Sequence, residues 1–176
     1  MRFALLVGVS LMIAACTTAP DTAEKRERLE ADAAAALEKA RQSDPGLTRI
    51  LDSAFAYAVF PSVGKGGAGI GGAYGRGIYY ENHIPVGYCD LSQASIGFQL
   101  GGQVYTEIIV FETPEAADRL KSGNFAFDAR ASAVALKSGA SAEAKYADGV
   151  MVFTMDEAGL MYQASIGGQK FSYQAK

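Results

Sequence analysis

A run of glycines at residues 64–72, GKGGAGIGG, is the part of this sequence that most directly suggests chemistry. Residues 64–69 fit G-x-G-x-x-G, the fingerprint of loops that bind a dinucleotide's pyrophosphate. That chemistry needs a helix to begin at the glycines, because its first backbone amides bind the phosphate. Four of the eight residues from Ile70 to Gly77 are glycine, which disfavours a helix by about 4 kcal/mol relative to alanine. We therefore predict no nucleotide cofactor. Lys65 is also not followed by Ser or Thr, as a Walker loop requires.

The same stretch, taken with a period of two residues, predicts a β-strand with one nearly bare face. Small residues occupy the odd positions, at Gly67, Gly69, Gly71, Ala73, Gly75 and Gly77. Bulky residues occupy the even positions, at Ile70, Tyr74, Ile78 and Tyr80. Interior glycines weaken a strand and usually mark a bend or the close approach of another backbone. We expect another element to pack on the bare face, or the sheet to curl sharply there. A flexible glycine loop is the alternative.

Catalytic and metal-binding side chains are scarce. His83 is the one histidine, and its neighbours in ENHIP indicate a turn. Together with Cys89 it does not supply the three or four ligands that a zinc site uses. Cys89 lies in a predicted strand or turn, where we expect a buried structural thiol, with a reactive thiol as the alternative. We predict no catalytic residues and no metal, and therefore no enzyme.

The length of the chain indicates a single domain, and its charge argues against a nucleic-acid-binding protein. A chain of 176 residues has room for one domain with a substantial core. Its formal charge is −3, and Lys and Arg form no long run. Phosphate backbones are bound by clustered cations, so we predict no nucleic-acid partner.

The N-terminus resembles the signal of a bacterial lipoprotein. Arg2 is followed by an apolar run, Phe3–Ile13, that is too short to span a bilayer as a helix. Residues 13–16, Ile-Ala-Ala-Cys, resemble the lipobox, in which the cysteine is acylated and the signal is cut before it. The resemblance implies lipidation of Cys16, and Thr17 in place of Asp implies sorting to the outer membrane, facing the periplasm. A plain signal peptide with an incidental cysteine is the alternative.

Helical periodicity precedes the strands. Residues 22–42 predict a helix with an alanine-rich apolar stripe, which packs loosely or lies near a membrane. The stripe consists of Leu29, Ala33, Ala36, Leu37 and Ala40. Asp44 and Pro45 predict the cap and first residue of a second helix. Thr113 and Pro114 begin a short third helix that Gly123 ends.

Period-two patterns begin at Tyr57. Residues 57–63 predict a strand in which Pro61 marks an edge or a bend. Residues 92–104 alternate, and residues 105–111 are apolar on both faces. The predicted buried face is Ala94, Ile96, Phe98, Leu100 and Val104, and the predicted polar face is Gln93, Ser95, Gln99 and Gln103. Residues 124–136, 150–155 and about 160–173 predict further strands, with a hairpin turn at 156–159.

These patterns predict an α+β fold. N-terminal helices within residues 22–56 pack on a strongly curved antiparallel β-sheet, residues 57–176, with one inserted short helix. Whether the sheet closes into a barrel stays open.

Three long segments, in order, resemble the SYLF (Ysc84-like) domain. They are YAVFPSVGKGGAGIGGAYGRGIYY, VGYCDLSQASIGFQLGGQVYTEIIVF and TPEAADRLKSGNF, and the resemblance runs from about Leu47 to the C-terminus. The resemblance implies membrane association through lipid headgroups, which are phosphoinositides in eukaryotic members. Some yeast members also bind actin, a partner that a periplasmic protein does not meet.

The resulting organisation is a signal peptide at 1–15, a lipidated tether at 16–21 and a single lipid-binding domain at 22–176. Lys65 and Arg76, at the two ends of the glycine stretch, are the candidate headgroup ligands, because exposed backbone amides there can also receive phosphate oxygens. Two ordinary solvated cations are the alternative. The predicted function is binding of phospholipid headgroups, and the alternative is a structural or protein-interaction module with an envelope protein as partner.

Overall fold

The computed structural model describes residues 18–97, 102–123, 125–127, 133–156 and 166–176. The helices are α1 (Ala23–Ser43), α2 (Gly46–Ser53) and α3 (Pro114–Lys121). The strands are β1 (Ala56–Glu81), β2 (Ile84–Gly97), β3 (Gly102–Phe111), β4 (Val134–Ala135), β5 (Val150–Asp156) and β6 (Lys170–Ala175). Helices followed by a sheet with one inserted helix confirm the predicted α+β class.

The strands form one sheet in the order β4-β5-β3-β1-β2-β6. Every pairing is antiparallel except that of β4 with β5. Residues 56–66 of β1 pair with β3, and residues 69–81 pair with β2. Among the described residues the two end strands do not pair with each other, so the sheet is not closed into a barrel.

Strand β1 folds back so that its two halves touch. The rings of Tyr57 and Tyr80 stack with their centroids 4.9 Å apart. A Cβ atom on Gly77 would lie 2.6 Å from the carbonyl oxygen of Val59, which is too close for any side chain. The register with β3 shifts between Phe60 and Val63, which places Pro61 at an irregularity of the strand. Glycine at position 77 therefore permits contact between the two backbones.

Both faces of the sheet are buried. One cluster lies against α3 and is largely aromatic; its large members are Phe60, Tyr79, Tyr105, Phe111, Phe125 and Phe171. The other lies under α1 and α2; it includes Leu37, Leu47, Leu51, Tyr57, Ile78, Tyr80, Ile108 and Phe153. The buried residues of α1 are Ala33, Ala36, Leu37 and Ala40, four of the five positions in the predicted stripe.

Capping side chains set the helix boundaries. The hydroxyl of Thr113 accepts a hydrogen bond from the Ala116 amide, and Gly123 adopts φ = 70° after the end of α3. The third helix is therefore confirmed. The second begins at Gly46, one residue later than predicted. Asp44 still serves this end, because its Oδ1 accepts a 3.0 Å hydrogen bond from the Gly46 amide.

Two strand faces and one strand boundary differ from prediction. Gln93 is buried while Ala94 and Val104 are exposed, the reverse of the predicted faces. The Gln93 amide tolerates burial because its Nε2 donates a 2.7 Å hydrogen bond to the Gly167 carbonyl. The last strand begins only at Lys170, after a turn in which Gly168 adopts φ = 77°.

The predicted strand at 124–136 is also wrong for the described residues. Ala126 pairs with Lys170 of β6, whereas Val134 and Ala135 pair with β5. A segment that changes partners between opposite ends of the sheet does not form one continuous strand. The parts of the predictions that fall on residues 98–101, 128–132 and 157–165 lie outside the described residues.

Candidate functional site

Arg76 is held in a cross-strand ion pair. It lies directly opposite Asp90 of β2, which lies opposite Ser172 of β6. The Arg76 Nε is 3.5 Å from Asp90 Oδ1 and donates a 3.0 Å hydrogen bond to the Tyr74 hydroxyl. Burial raises the pKa of Asp90, and the Arg76 charge opposes that effect. Two-fifths of the Arg76 side chain stays exposed, so the guanidinium still reaches solvent.

The neighbouring row on the same face carries a second cation. Tyr74 lies opposite Ser92, and Ser92 lies opposite Lys170. Residues directly opposite in antiparallel strands share a face, so this row lies beside the Arg76 row. Tyr74 is half exposed, and Ser92 and Lys170 are exposed. We call four residues of the two rows that reach solvent, Tyr74, Arg76, Ser92 and Lys170, the three-strand patch.

The chain just before α1 packs beside this patch. Thr18, Ala19 and Pro20 are all buried. The Thr18 Oγ1 lies 3.1 Å from the Ser172 Oγ, and the Ala19 amide donates a 3.1 Å hydrogen bond to the Gln174 Oε1. These contacts attach the predicted tether to β6.

Lys65 lies on the opposite face of the sheet from Arg76. It is two residues from Val63 on β1 and pairs with Gln103 of β3, so it points toward the aromatic cluster against α3. Arg76 is two residues from Ile78, which belongs to the cluster under α1 and α2. The structure thus separates the two cations that the sequence suggested as a pair.

A buried carboxylate, that of Glu107, lies on the same face of the sheet as Lys65. Glu107 of β3 is fully buried, and its Oε2 accepts a 3.0 Å hydrogen bond from the Gln169 Nε2. Burial raises the pKa of Glu107 to about 7, although the hydrogen bond from Gln169 and the charge of Lys65 lower it. The Glu107 Oε1 has no hydrogen-bond partner within the described part of the chain. This carboxyl can therefore hold or release a proton near neutral pH.

A polar cleft of about 440 Å³ lies between α1, α2 and the turn after β1. It is lined by Ala34, Leu37, Arg41, Asp52, Tyr57, Tyr80 and His83. The Tyr57 hydroxyl is 3.3 Å from His83 Nδ1, and His83 Nε2 is 3.9 Å from the Asp52 carboxylate. His83 sits in a two-residue turn at φ = 66°, as its neighbours predicted. The cleft offers hydrogen bonds and both signs of charge to a small polar ligand.

Of the two cysteines, only Cys89 lies within the described residues. Cys89 is a free, fully buried thiol, and burial raises its pKa well above the ordinary value. The prediction of a buried structural thiol is confirmed. Cys16 lies outside the described residues, and its lipidation stays a prediction.

Sequence reasoning missed Lys170, Thr18 and Glu107. Lys170 and Ser172 do alternate with Phe171 and Tyr173, which indicates the exposed face of a strand. The register that places Lys170 beside Arg76 is not readable from one sequence. Glu107 left a signal, since it is the single charge in the apolar run from Tyr105 to Phe111.

The helices that the structure describes include none with the length and apolar composition to cross a bilayer.

Residues 92–176 match the family model described as "Ysc84: Las17-binding protein actin regulator". The chain is also similar to beta cell expansion factor A of Aeromonas veronii, with 28% identity over 154 residues. That alignment covers 86% of this chain and 59% of the relative, so the chain spans less than two thirds of the relative's length. This match over residues 92–176 confirms the resemblance to the Ysc84 family identified from the sequence.

Proposed function

We propose that this protein is a lipoprotein of the bacterial cell envelope whose domain binds phospholipid headgroups, anionic ones in particular. Cys16 carries the acyl chains, and the anchor lies in the outer membrane with the domain in the periplasm. The role is binding, with no reaction catalysed.

The exposed three-strand patch is the observation that carries this proposal. Arg76 and Lys170 project from adjacent rows of one sheet face, beside the half-exposed Tyr74. A cation near an anionic membrane surface contributes about 1 kcal/mol to association. Tyrosine suits the headgroup level because its ring is apolar and its hydroxyl polar. The patch thus combines the two side-chain types that favour a lipid surface.

A protein-binding module is the second candidate. The family model that matches residues 92–176 is described by Las17 binding and actin regulation, which are protein-directed activities of family members. In this candidate the acyl chains alone localise the protein, and the domain binds another envelope protein.

Vesicle sedimentation separates the two candidates. Protein starting at Thr17, which lacks the acylated cysteine, is mixed with vesicles of phosphatidylglycerol or of phosphatidylcholine. We expect co-sedimentation with the anionic vesicles, weakened by salt because exposed charges are screened. Absence of binding to both vesicle types would reject headgroup binding and favour the protein-binding module.

Arg76→Glu and Lys65→Glu test the two cations suggested by the sequence. Because Arg76 belongs to the exposed patch, its reversal should weaken anionic vesicle binding. Lys65 is half-buried on the opposite face, the one that carries the aromatic cluster, so its reversal should act on stability before it acts on lipid. Thermal unfolding of each variant, measured without vesicles, distinguishes these effects.

A further inference from the structure

Two hydrogen bonds fasten the tether before α1 to the sheet, and a third joins it to α1. Thr18 contacts Ser172, and the Ala19 amide donates to the side chain of Gln174. Arg26, in the first turn of α1, donates a 2.8 Å hydrogen bond from Nε to the Pro20 carbonyl. Thr18 is 9% exposed and Ala19 is 4% exposed. Because these residues are buried and hydrogen-bonded, the segment follows a fixed path and does not act as a flexible linker.

The fastened residues lie very near the predicted acylation site. Two peptide units connect Cys16 to Thr18, so their Cα atoms are at most about 7.6 Å apart. If acyl chains on Cys16 insert into a membrane, the membrane surface must therefore lie close to the part of the fold that holds Thr18.

The three-strand patch adjoins the same point. Thr18 contacts Ser172, which lies directly opposite Asp90, the ion-pair partner of Arg76. Lys170 is two residues from Ser172 on β6, about 7 Å along the strand. The anchor point and the exposed cations therefore share one region of the surface.

The turn after β1 lies at the other end of the hairpin. Ile84, the first residue of β2, is eight residues from Ser92 of the patch. Eight strand residues span about 27 Å, close to the hydrocarbon thickness of a bilayer. Ile84 is 62% exposed, so it reports solvent access at a site remote from the anchor.

We propose that the fastened tether orients the domain on the membrane, with the three-strand patch against the phospholipid headgroups and the β1–β2 turn directed into the aqueous phase. The proposal rests on the proposed function, since it takes Cys16 as the acylated residue. It adds a specific interaction surface, made of Tyr74, Arg76, Ser92 and Lys170, and a specific partner, an anionic lipid surface. Acylation then keeps the domain close to the membrane, and the fastened tether determines which face of the domain is directed toward it.

Solvent access at two positions of β2 tests this orientation. The full chain is produced in bacteria, purified with its acyl chains and reconstituted in vesicles containing phosphatidylglycerol. Ser92→Cys and Ile84→Cys are labelled separately with an environment-sensitive fluorophore; Cys89 is buried and does not react. We expect quenching by aqueous iodide to be several-fold weaker at position 92 than at position 84. Equal quenching at the two positions, with protein still on the vesicles, would overturn the orientation while leaving the anchor intact.

A tether variant checks the cause of the orientation. Thr18→Ala combined with Gln174→Ala removes one side-chain partner from each of the two hydrogen bonds described between the tether and β6. We expect position 92 to become as accessible as position 84 while the protein stays on the vesicles. Continued protection of position 92 in this variant would overturn the role of the tether. If mass spectrometry finds no acyl group on Cys16 and the full chain does not sediment with vesicles, the proposed function itself fails.

Discussion

Glu107 and Gln169 are joined by a 3.0 Å hydrogen bond, from Gln169 Nε2 to Glu107 Oε2, inside the sheet. The two residues are 62 positions apart, and neither is exposed. A single amide donor does not replace the water that a carboxylate loses on burial. The result is the raised pKa of Glu107, about 7 against an ordinary 4.5.

Stability should therefore fall as pH rises through neutrality. The folded state holds the Glu107 proton more tightly than the unfolded state, so this stabilisation is complete below pH 4.5 and is lost as pH passes 7. At about 1.4 kcal/mol per pKa unit, the loss is on the order of 3 kcal/mol. Urea unfolding at pH 5 and pH 8 measures it. Glu107→Gln should remove this pH dependence, and an equal decline in both proteins would contradict the assignment to Glu107.

Alanine at Gly77 should destabilise the fold. Its Cβ would meet the Val59 carbonyl at 2.6 Å and the Phe60 ring at 2.7 Å, so the two halves of β1 must separate. We expect the free energy of unfolding to drop by about 3 kcal/mol. Gly64→Ala, in the same strand, is the control: its nearest contact is the Tyr74 carbonyl at 4.0 Å. It should leave stability unchanged or raise it by about 0.5 kcal/mol. Comparable losses in both variants would show that strand flexibility, and not contact, requires the glycines.

Removal of the Asp44 carboxylate should loosen α2. Asp44 Oδ1 accepts from the Gly46 amide and Oδ2 accepts a 2.6 Å hydrogen bond from the Ser141 amide. Loss of two charge-assisted bonds at a buried site costs about 3 kcal/mol. Chemical denaturation of Asp44→Ala measures this cost. Asp32→Ala serves as the control, because its 3.9 Å pair with Arg28 is exposed and contributes less than about 1 kcal/mol.

Reversal of the Lys170 charge should weaken vesicle binding. Lys170→Glu removes one cation from the three-strand patch and adds an anion, which opposes association by about 2 kcal/mol, or roughly thirtyfold in affinity. Lys145→Glu makes the same change at an exposed loop residue outside the patch. Titration of both variants with phosphatidylglycerol vesicles gives the comparison. Equal weakening would indicate attraction by overall charge, without a defined surface.

Local signals in the sequence predicted the local structure well. The helices at residues 22–42 and 113–123 carry their own caps, since Thr22 and Thr113 each accept a hydrogen bond from the first turn. The alternation of small and bulky residues predicted the glycine-rich strand. The structure joins that strand to the one predicted at 57–63, because residues 56–81 form a continuous strand despite the bend.

Contacts between distant residues decided what the sequence did not predict. Gln93 is buried because Gly167, 74 positions later, accepts its hydrogen bond. Lys170 joins Arg76 only through the registers of β6 with β2 and of β2 with β1. The hydrophobic periodicity of a single segment predicts neither the Gln93–Gly167 hydrogen bond nor the proximity of Lys170 to Arg76. The exposed patch and the fastened tether therefore required the structure.

The contact between Thr18 and Ser172 also determines where mechanical load enters the protein. Tension on the chain before Thr18 passes into β6 through the side chains of Ser172 and Gln174, before it reaches the first turn of α1. Strand β6 is joined to β2 over six residue pairs, a stronger connection than two side-chain hydrogen bonds. A pull at the membrane should therefore detach the tether first and leave the sheet folded.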